Sequence, residues 1–388
     1  MKALVVFDGR FYDNHGIPSS YHLNYELFAK RYLNEFDTVT IVGRLFNHPD
    51  DGAQSVIGKN ASFVGVPGYV GPKSFLFKMP IILKLLWSID LHDTAVFLRT
   101  PGTIPFIFSI ILLLKRKIFA VEVVADPHDQ LSKGAVKHPI RIFFQKLYSS
   151  FLKWQCKRAI GAAYVTKSAL QKRYPPGSDL TTNYTSLNLG NEWFVEKSRV
   201  YDKLTSVHLL NIGMMVQLYK AQDVILEMVS ILKKRNFLCF VTFVGDGEYK
   251  EFLEKLAVDL DVSDQVKFVG KISDRTSIRK YYDEAEIFLL PSRQEGLPRV
   301  MIEAMSRALP CVGTNVGGVS ELLDSNFIVE VDNAEALASK VEYLCSNPEV
   351  MELQSKKNLI TSQDYKGEIV QKRREAFYKA VRERNHEA

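Results

Sequence analysis

The chain has 388 residues, 46% hydrophobic and 24% charged, with a formal net charge of +6; that is length enough for two ordinary domains and the balance of a soluble globular protein. Four widely spaced cysteines (Cys156, Cys239, Cys311, Cys345) with no CxxC pair argue against a disulfide framework or a cysteine-zinc module and suit a reducing compartment. The positive charge sits in the first half, which suits an anionic partner there, and the absence of any recognised nucleic-acid module argues against nucleic acid as that partner.

Taken in chain order, residues 3–7 form a short apolar run between Lys2 and Asp8, a strand and not a secretory leader. Runs at 38–42, 95–98, 118–124 and 161–165 repeat the pattern, and 181–187 is a weaker, mostly polar sixth candidate. Helix-like stretches between these runs predict parallel sheets covered by helices. No apolar run reaches the roughly 18 residues that span a bilayer; the longest, 103–114, stops at Lys115. A cytoplasmic protein is expected. The polar, charged stretch 190–205 reads as an interdomain linker, followed by strands at 208–212, 238–244, 266–269, 287–290 and 311–313. The tail, 366–387, is charged and helix-favouring. Domains are expected at 1–195 and 196–365, with a terminal helix over 366–388.

Several residues of the first half are placed to meet a substrate. Strand C-termini face the cleft in open α/β sheets. Arg99 stands at one such end, as a phosphate ligand or as an ordinary solvated arginine. Glu122 to Asp129 ends another strand with four ionisable groups, of which Asp126 or His128 can orient or deprotonate a hydroxyl. The alternative is a proline turn whose carboxylates cap the next helix. Residues 140–158 read as an amphipathic helix with Ile140, Phe143, Phe144, Leu147, Phe151 and Trp154 on one face and Arg141, Lys146, Lys153, Lys157 and Arg158 on the other. It is either a core helix with solvated charges or a basic, aromatic-bordered surface for an anionic membrane. Residues 75–87, with Lys73, Lys78 and Lys84, form a second patch of that kind.

The second half carries the sharper signals. Gly213 follows a strand, and Lys220 lies seven residues beyond it. A glycine there lets backbone approach a ligand, and a flexible ammonium neutralises a diphosphate. Phe243-Val244-Gly245-Asp246-Gly247 is a strand running into a Gly-x-Gly turn, by itself a common turn signal. Pro291 to Met305 then puts Glu295 in a loop and Glu303 inside a helix, with Pro298 suited to the first helical position. The amides of Arg299 and Val300 are expected to point out of that helix unpaired, an anion site fitted to a nucleotide diphosphate. Glu295 and Glu303 on either side can accept hydrogen bonds from sugar hydroxyls. A nucleotide-activated sugar is the implied ligand.

Glu295 and Glu303, with Gly296-Leu297-Pro298-Arg299-Val300 following the first, resemble the paired-glutamate motif of retaining glycosyltransferases of family 4. Ala308 to Gly313 and Gly317-Gly318 extend the likeness. The resemblance implies an α/β GT-B fold, two Rossmann-like domains with parallel sheets facing a central cleft, the acceptor side first and the donor side second. It also implies a final helix crossing back to the first domain. The activity implied is hexosyl transfer from a UDP- or GDP-linked sugar to a glycan or lipid-linked acceptor in surface polysaccharide assembly. No metal or other cofactor is implied, and the protein is expected in the cytoplasm with peripheral contact on the inner face of an anionic membrane. Residue by residue, Lys220 matches the phosphate-binding lysine, while Met214 stands where an arginine is common and leaves Arg299 to compensate. Gly245 matches the strand end lining the nucleotide pocket, Lys271-Ile272 resembles the segment that sandwiches the base, and Gly296 belongs to the glutamate loop. The usual glycine-glycine loop after the first strand is missing; Gly9 or Gly16 within 8–16 is left to close over the donor phosphates. Glu295, with Asp126 or His128 on the acceptor side, is the expected catalytic set. Two rivals share the fold: a nucleotide-sugar epimerase and a non-catalytic scaffold.

Overall fold

Each half of the chain gathers its apolar runs into a sheet of its own, in a computed structural model that describes residues 1–387 apart from 22, 51, 132–139 and 273. The first unit comprises Met1–His128, Phe143–Tyr184 and Gln371–Ala388. Its strands are β1 (Lys2–Asn14), β2 (Ile17–Ser20), β3 (Thr38–Phe46), β4 (Gln54–Ser55), β5 (Ala61–Pro67), β6 (Thr94–Thr100), β7 (Ala120–Val123), β8 (Gly161–Tyr164) and β9 (Thr181–Asn183). Strands β5-β3-β1-β6-β7-β8-β9 run parallel in that order, and β2 with β4 adds an antiparallel flap to the far end of β1. The helices of this stretch of chain are α1 (Gly71–Ser88), α2 (Thr103–Leu114), α3 (Pro127–Gln130), α4 (Arg141–Arg158) and α5 (Ala169–Arg173). Val6, Val42, Leu98 and Val121 of the sheet bury against Ile82, Phe108 and Leu152 of the helices.

Two expectations are revised here for physical reasons. Residues 8–14 do not form a loop; they continue β1 into a hairpin. His15 and Gly16, at φ 56° and 86°, make a two-residue turn that pairs Asn14 with Ile17. The apolar stripe of 140–158, read as core or as membrane surface, packs only toward its C-terminal end, where Phe151 stacks on Phe106 with ring centroids 3.6 Å apart. Leu152, Gln155 and Cys156 are buried, whereas Ile140 and Phe143 are 50% and 62% exposed.

A polar knot ties the first unit internally. Glu122 on β7 is in register with Arg99 on β6, and their side chains pair at 2.8 Å. The carboxylate also accepts from the hydroxyls of Tyr32 (2.9 Å), Tyr184 (2.6 Å) and Tyr378 (2.9 Å). Burial alone would raise the Glu122 pKa; Arg99 and the three hydroxyls override it and hold it below the ordinary carboxylate range.

The second unit comprises Asp129–Ile142 and Thr185–Val370. Strands β10 (Ser206–Ile212), β11 (Leu238–Val244), β12 (Val266–Gly270), β13 (Ile287–Leu290), β14 (Cys311–Thr314) and β15 (Ile328–Val329) are all parallel, in the order β12-β11-β10-β13-β14-β15. Their helices are α6 (Gln222–Lys234), α7 (Lys250–Asp259), α8 (Arg275–Glu284), α9 (Arg299–Ser306), α10 (Val319–Leu322), α11 (Ala334–Ser346) and α12 (Pro348–Gln363). Leu209, Val241, Ile287 and Val312 of the sheet pack against Ile225 and Met228 of α6 and Leu337 and Val341 of α11. The stretch read as a linker is fastened to this unit: the Arg199 guanidinium donates to the carbonyls of Tyr282 (2.7 Å) and Arg307 (3.1 Å). The last helix, α13 (Gly367–Glu387), groups with the first unit from Gln371 onward, through Tyr378 and through Arg384, which pairs with Asp179 at 2.7 Å.

Candidate functional site

The strand order of the second unit locates its site. The chain winds from β10 out to β12, returns to β13 beside β10, and winds the other way. The loops leaving β10 and β13 therefore part at a topological switch point, where open parallel sheets bind ligands.

From β10 the chain enters Gly213, whose N–H donates to Val244 O at 3.0 Å. It then reaches Lys220 in a single 3-10 turn (Leu218–Lys220). The Gly213 loop is packed backbone on backbone with the next strand end. A Cβ on Gly245 (φ 147°) would sit 2.0 Å from Gly213 O, so only glycine fits. Gly245 in turn donates to Gly270 O at 2.9 Å; exposed Lys271 and half-buried Ile272 follow directly.

The loop after β13 is clamped at its base. Arg293 makes a bidentate pair with Asp223 (2.9 and 2.8 Å) and a third bond to Asp332 (2.6 Å). This fork geometry fixes the planar guanidinium and the loop with it. Glu295 follows: its Oε1 accepts from Lys220 Nζ at 2.5 Å and Ser292 Oγ at 2.7 Å. Behind it, Gly318 N–H donates to Gly296 O at 2.6 Å, and a Cβ on Gly317 (φ 51°) would lie 2.2 Å from Glu295 O. Gly317→Ala is expected to push the Glu295 loop outward and lower stability by about 1–3 kcal/mol. Urea denaturation checks this, and an unshifted midpoint would show that the loop tolerates the methyl group.

Pro298 sits one position earlier than expected. At φ −73° and ψ 102° it is the cap of α9, and helical geometry begins at Arg299. Its carbonyl receives the Met301 N–H at 3.2 Å, and the Arg299 and Val300 amides have no acceptor among the described residues. These two N–H groups remain at the positive end of the helix dipole. Arg299 itself is exposed. One turn on, Glu303 Oε2 lies 2.9 Å from the Tyr282 hydroxyl, which is also 3.1 Å from Val300 O. Burial raises the Glu303 pKa above the ordinary carboxylate value, against the opposing pull of that hydroxyl.

Gly213, Lys220, Gly245, Lys271, Ile272, Glu295, Gly296, Arg299, Val300 and Glu303 thus all lie on loops and helix starts of the second unit, with Lys220 and Glu295 in direct contact. Gly16, Arg99, Asp126 and His128 lie in the first unit. Two of these are corrected. Arg99 is not a free strand-end cation, because Glu122 holds it; the pair raises its pKa despite burial. Asp126 is not a free base. Its carboxylate accepts the His128 N–H (2.8 Å), the Tyr174 hydroxyl and the Arg173 guanidinium, so it caps the turn and anchors α5. His128 is exposed. Sequence reasoning passed over Tyr282, Ser292 and Arg293. Ser292 and Arg293 stand beside the glutamate motif and carried a signal by proximity; Tyr282 is far from it in sequence and carried none.

Residues 206–360 match the family described as Glycosyl transferases group 1. The chain carries a group 1 glycosyltransferase domain. It is 28% identical to Protein CapJ of Staphylococcus aureus over 85% of this chain and 83% of that one. It is 35% identical to the amylovoran biosynthesis glycosyltransferase AmsK of Erwinia amylovora over 31% of each. In structure it resembles Anabaena HepE in complex with UDP-glucose, with a TM-score of 0.64, 15% identity and coverage of 97% and 98%. That likeness shows the fold of the chain to be GT-B.

Proposed function

We propose that this glycosyltransferase is a retaining enzyme that moves a sugar from a nucleotide-sugar donor to a lipid-linked glycan acceptor during surface polysaccharide assembly, at the inner face of the cell membrane. The observation that carries the reading is the bracket formed at α9: two amides without an acceptor among the described residues, between Glu295 and Glu303, with Lys220 against Glu295. The amides and Lys220 suit the diphosphate, Glu303 the ribose hydroxyls, and Glu295 the hydroxyls of the transferred sugar. Relatives support the same substrates: HepE was solved with UDP-glucose, and AmsK is named for amylovoran biosynthesis.

In this mechanism the bond from the anomeric carbon to the diphosphate breaks as the acceptor oxygen bonds to that carbon from the same face. The acceptor proton leaves with the diphosphate oxygen. Charge developing on the leaving group is met by Lys220 and the Arg299 and Val300 amides, fixed donors that need no reorganisation. These groups are proposed to replace a metal ion. In the first unit, His128 remains the candidate for orienting an acceptor hydroxyl.

The test is a panel of UDP- and GDP-sugars scored by thermal stabilisation, then the anomeric configuration of the product. A donor at a hundredfold excess over its Kd contributes about 2.7 kcal/mol, a shift of several degrees. Lys220→Met is expected to remove most of that shift. Stabilisation by none of the sugars, or a product of inverted configuration, overturns the reading.

A further inference from the structure

Helices α1 and α2 of the first unit turn an unusually apolar face to solvent. On α1 only Ile82 and Leu86 are buried, while Phe77 is 86% exposed and Trp87 52%. Leu114, ending α2, is 68% exposed. Between the helices runs a groove of about 510 Å³ lined by Leu83, Lys84, Trp87, Ile107, Ile110 and Leu114. Single exposed apolar residues are ordinary, but a contiguous set of this kind marks a binding surface.

The charge on the two helices and directly after α2 has one sign. Neither helix contains an aspartate or glutamate; α1 carries Lys73, Lys78 and Lys84, and Lys115, Arg116 and Lys117 follow α2 directly. Lys115 reaches across to Trp87, donating to its carbonyl at 2.5 Å with Nζ 5.2 Å from the ring centroid. The next acidic groups along the chain are engaged elsewhere, Asp90 by Lys2 (3.7 Å) and Asp93 by the N-terminal amine (3.1 Å).

We infer that the α1–α2 face docks on an anionic lipid bilayer, with Phe77, Trp87 and Leu114 entering the headgroup boundary and the exposed Lys73, Lys84, Arg116 and Lys117 meeting lipid phosphates. The inference deepens the lipid-linked acceptor reading and rests on it for its purpose. Of the two patches the sequence offered for a membrane, at 75–87 and 140–158, it selects the first and extends it to α2. A second copy of the chain fits poorly, because a twofold contact would set the same cations against each other. Lysine stems lie along apolar surface while their heads stay at phosphate level, and tryptophan favours the interface between the two. Among the described residues no helix is long and apolar enough to cross a membrane, so the contact lies on the surface.

The test is co-sedimentation of the full chain with vesicles of phosphatidylcholine alone or mixed with phosphatidylglycerol, without donor or acceptor. Binding is expected only to the phosphatidylglycerol vesicles and should weaken with salt. Phe77→Glu together with Leu114→Glu should abolish it, and each of Lys84→Glu and Lys117→Glu should weaken it at least fivefold. All four sites are at the surface, and an unchanged melting temperature shows each variant folded. Three results overturn the inference: no binding to either vesicle, binding unaffected by the Phe77 and Leu114 changes, or a concentration-dependent dimer that those changes dissolve. Because no sugar is present, failure here leaves the donor test standing, and failure of the donor test leaves this one standing.

Discussion

Replacing Glu303 with alanine is expected to abolish sugar transfer while leaving the protein folded and slightly harder to melt at neutral pH. A hydrogen bond to a charged group contributes about 1.5–3 kcal/mol, so a carboxylate taking two from a ribose accounts for at least about a hundredfold in donor affinity. Stability is expected to move the other way. Glu303 has its pKa raised by burial, so its contribution to stability is full below the ordinary carboxylate value of 4.5 and is lost as pH rises through the folded value. At neutral pH the folded state therefore carries an unfavourable charge, and alanine removes it. Tyr282 keeps the Val300 carbonyl as a partner at 3.1 Å, so no hydroxyl is stranded. Donor titration calorimetry and a melting curve on the same sample check both halves. Full activity in the variant removes the assigned role, and a collapsed melting temperature would make Glu303 structural.

Glu122→Ala is expected to be the most destabilising single change in the first unit. It leaves the Arg99 guanidinium buried without its counter-charge and takes one acceptor from each of Tyr32, Tyr184 and Tyr378. Breaking a buried pair from one side costs about 3–5 kcal/mol, a large share of the roughly 5–15 kcal/mol that holds a domain folded. Hydrogen exchange should show the loss not only around β7 but also in α13 near Tyr378. The double change Glu122→Met with Arg99→Met should recover much of it, because no buried charge is left unpaired. The pH dependence has a defined sign. The Glu122 pKa is lowered on folding, so its stabilisation is present above 4.5 and lost as pH falls through the depressed folded value. An unchanged denaturation midpoint for Glu122→Ala would contradict the whole account of the knot.

What the sequence disclosed and what it hid follow from the range of the interactions involved. Strands at 238–244 and 287–290 coincide with β11 and β13, because fully buried parallel strands are apolar runs bounded by turns. The same alternation predicted parallel sheets covered by helices, and the GT-B class was implied by the resemblance that the glutamate motif carries. Strand β5 escaped notice: it holds Gly65 and ends at Pro67, both turn residues, and it forms ladder pairs with β3 alone among the described strands. The extension of β1 was hidden because its polar residues resemble a loop, and the hairpin that supports it rests on two positive φ angles at His15 and Gly16. Partnerships were the least legible. Nothing near Asp126 announces Arg173, and nothing near Glu303 announces Tyr282, since those contacts exist only after the sheet has ordered the helices. Within the second unit, Lys220 and Glu295 were both singled out; that they touch was not foreseeable from their spacing of 75 residues.

The division of α13 has a consequence for the order in which this protein matures. Tyr378, which supplies one of the hydroxyls around Glu122, leaves the ribosome after every strand of both sheets. Until then the acid made a third of the way along the chain waits for its last hydrogen-bond donor. A nonsense mutation just ahead of Tyr378 would thus injure the earliest-made unit.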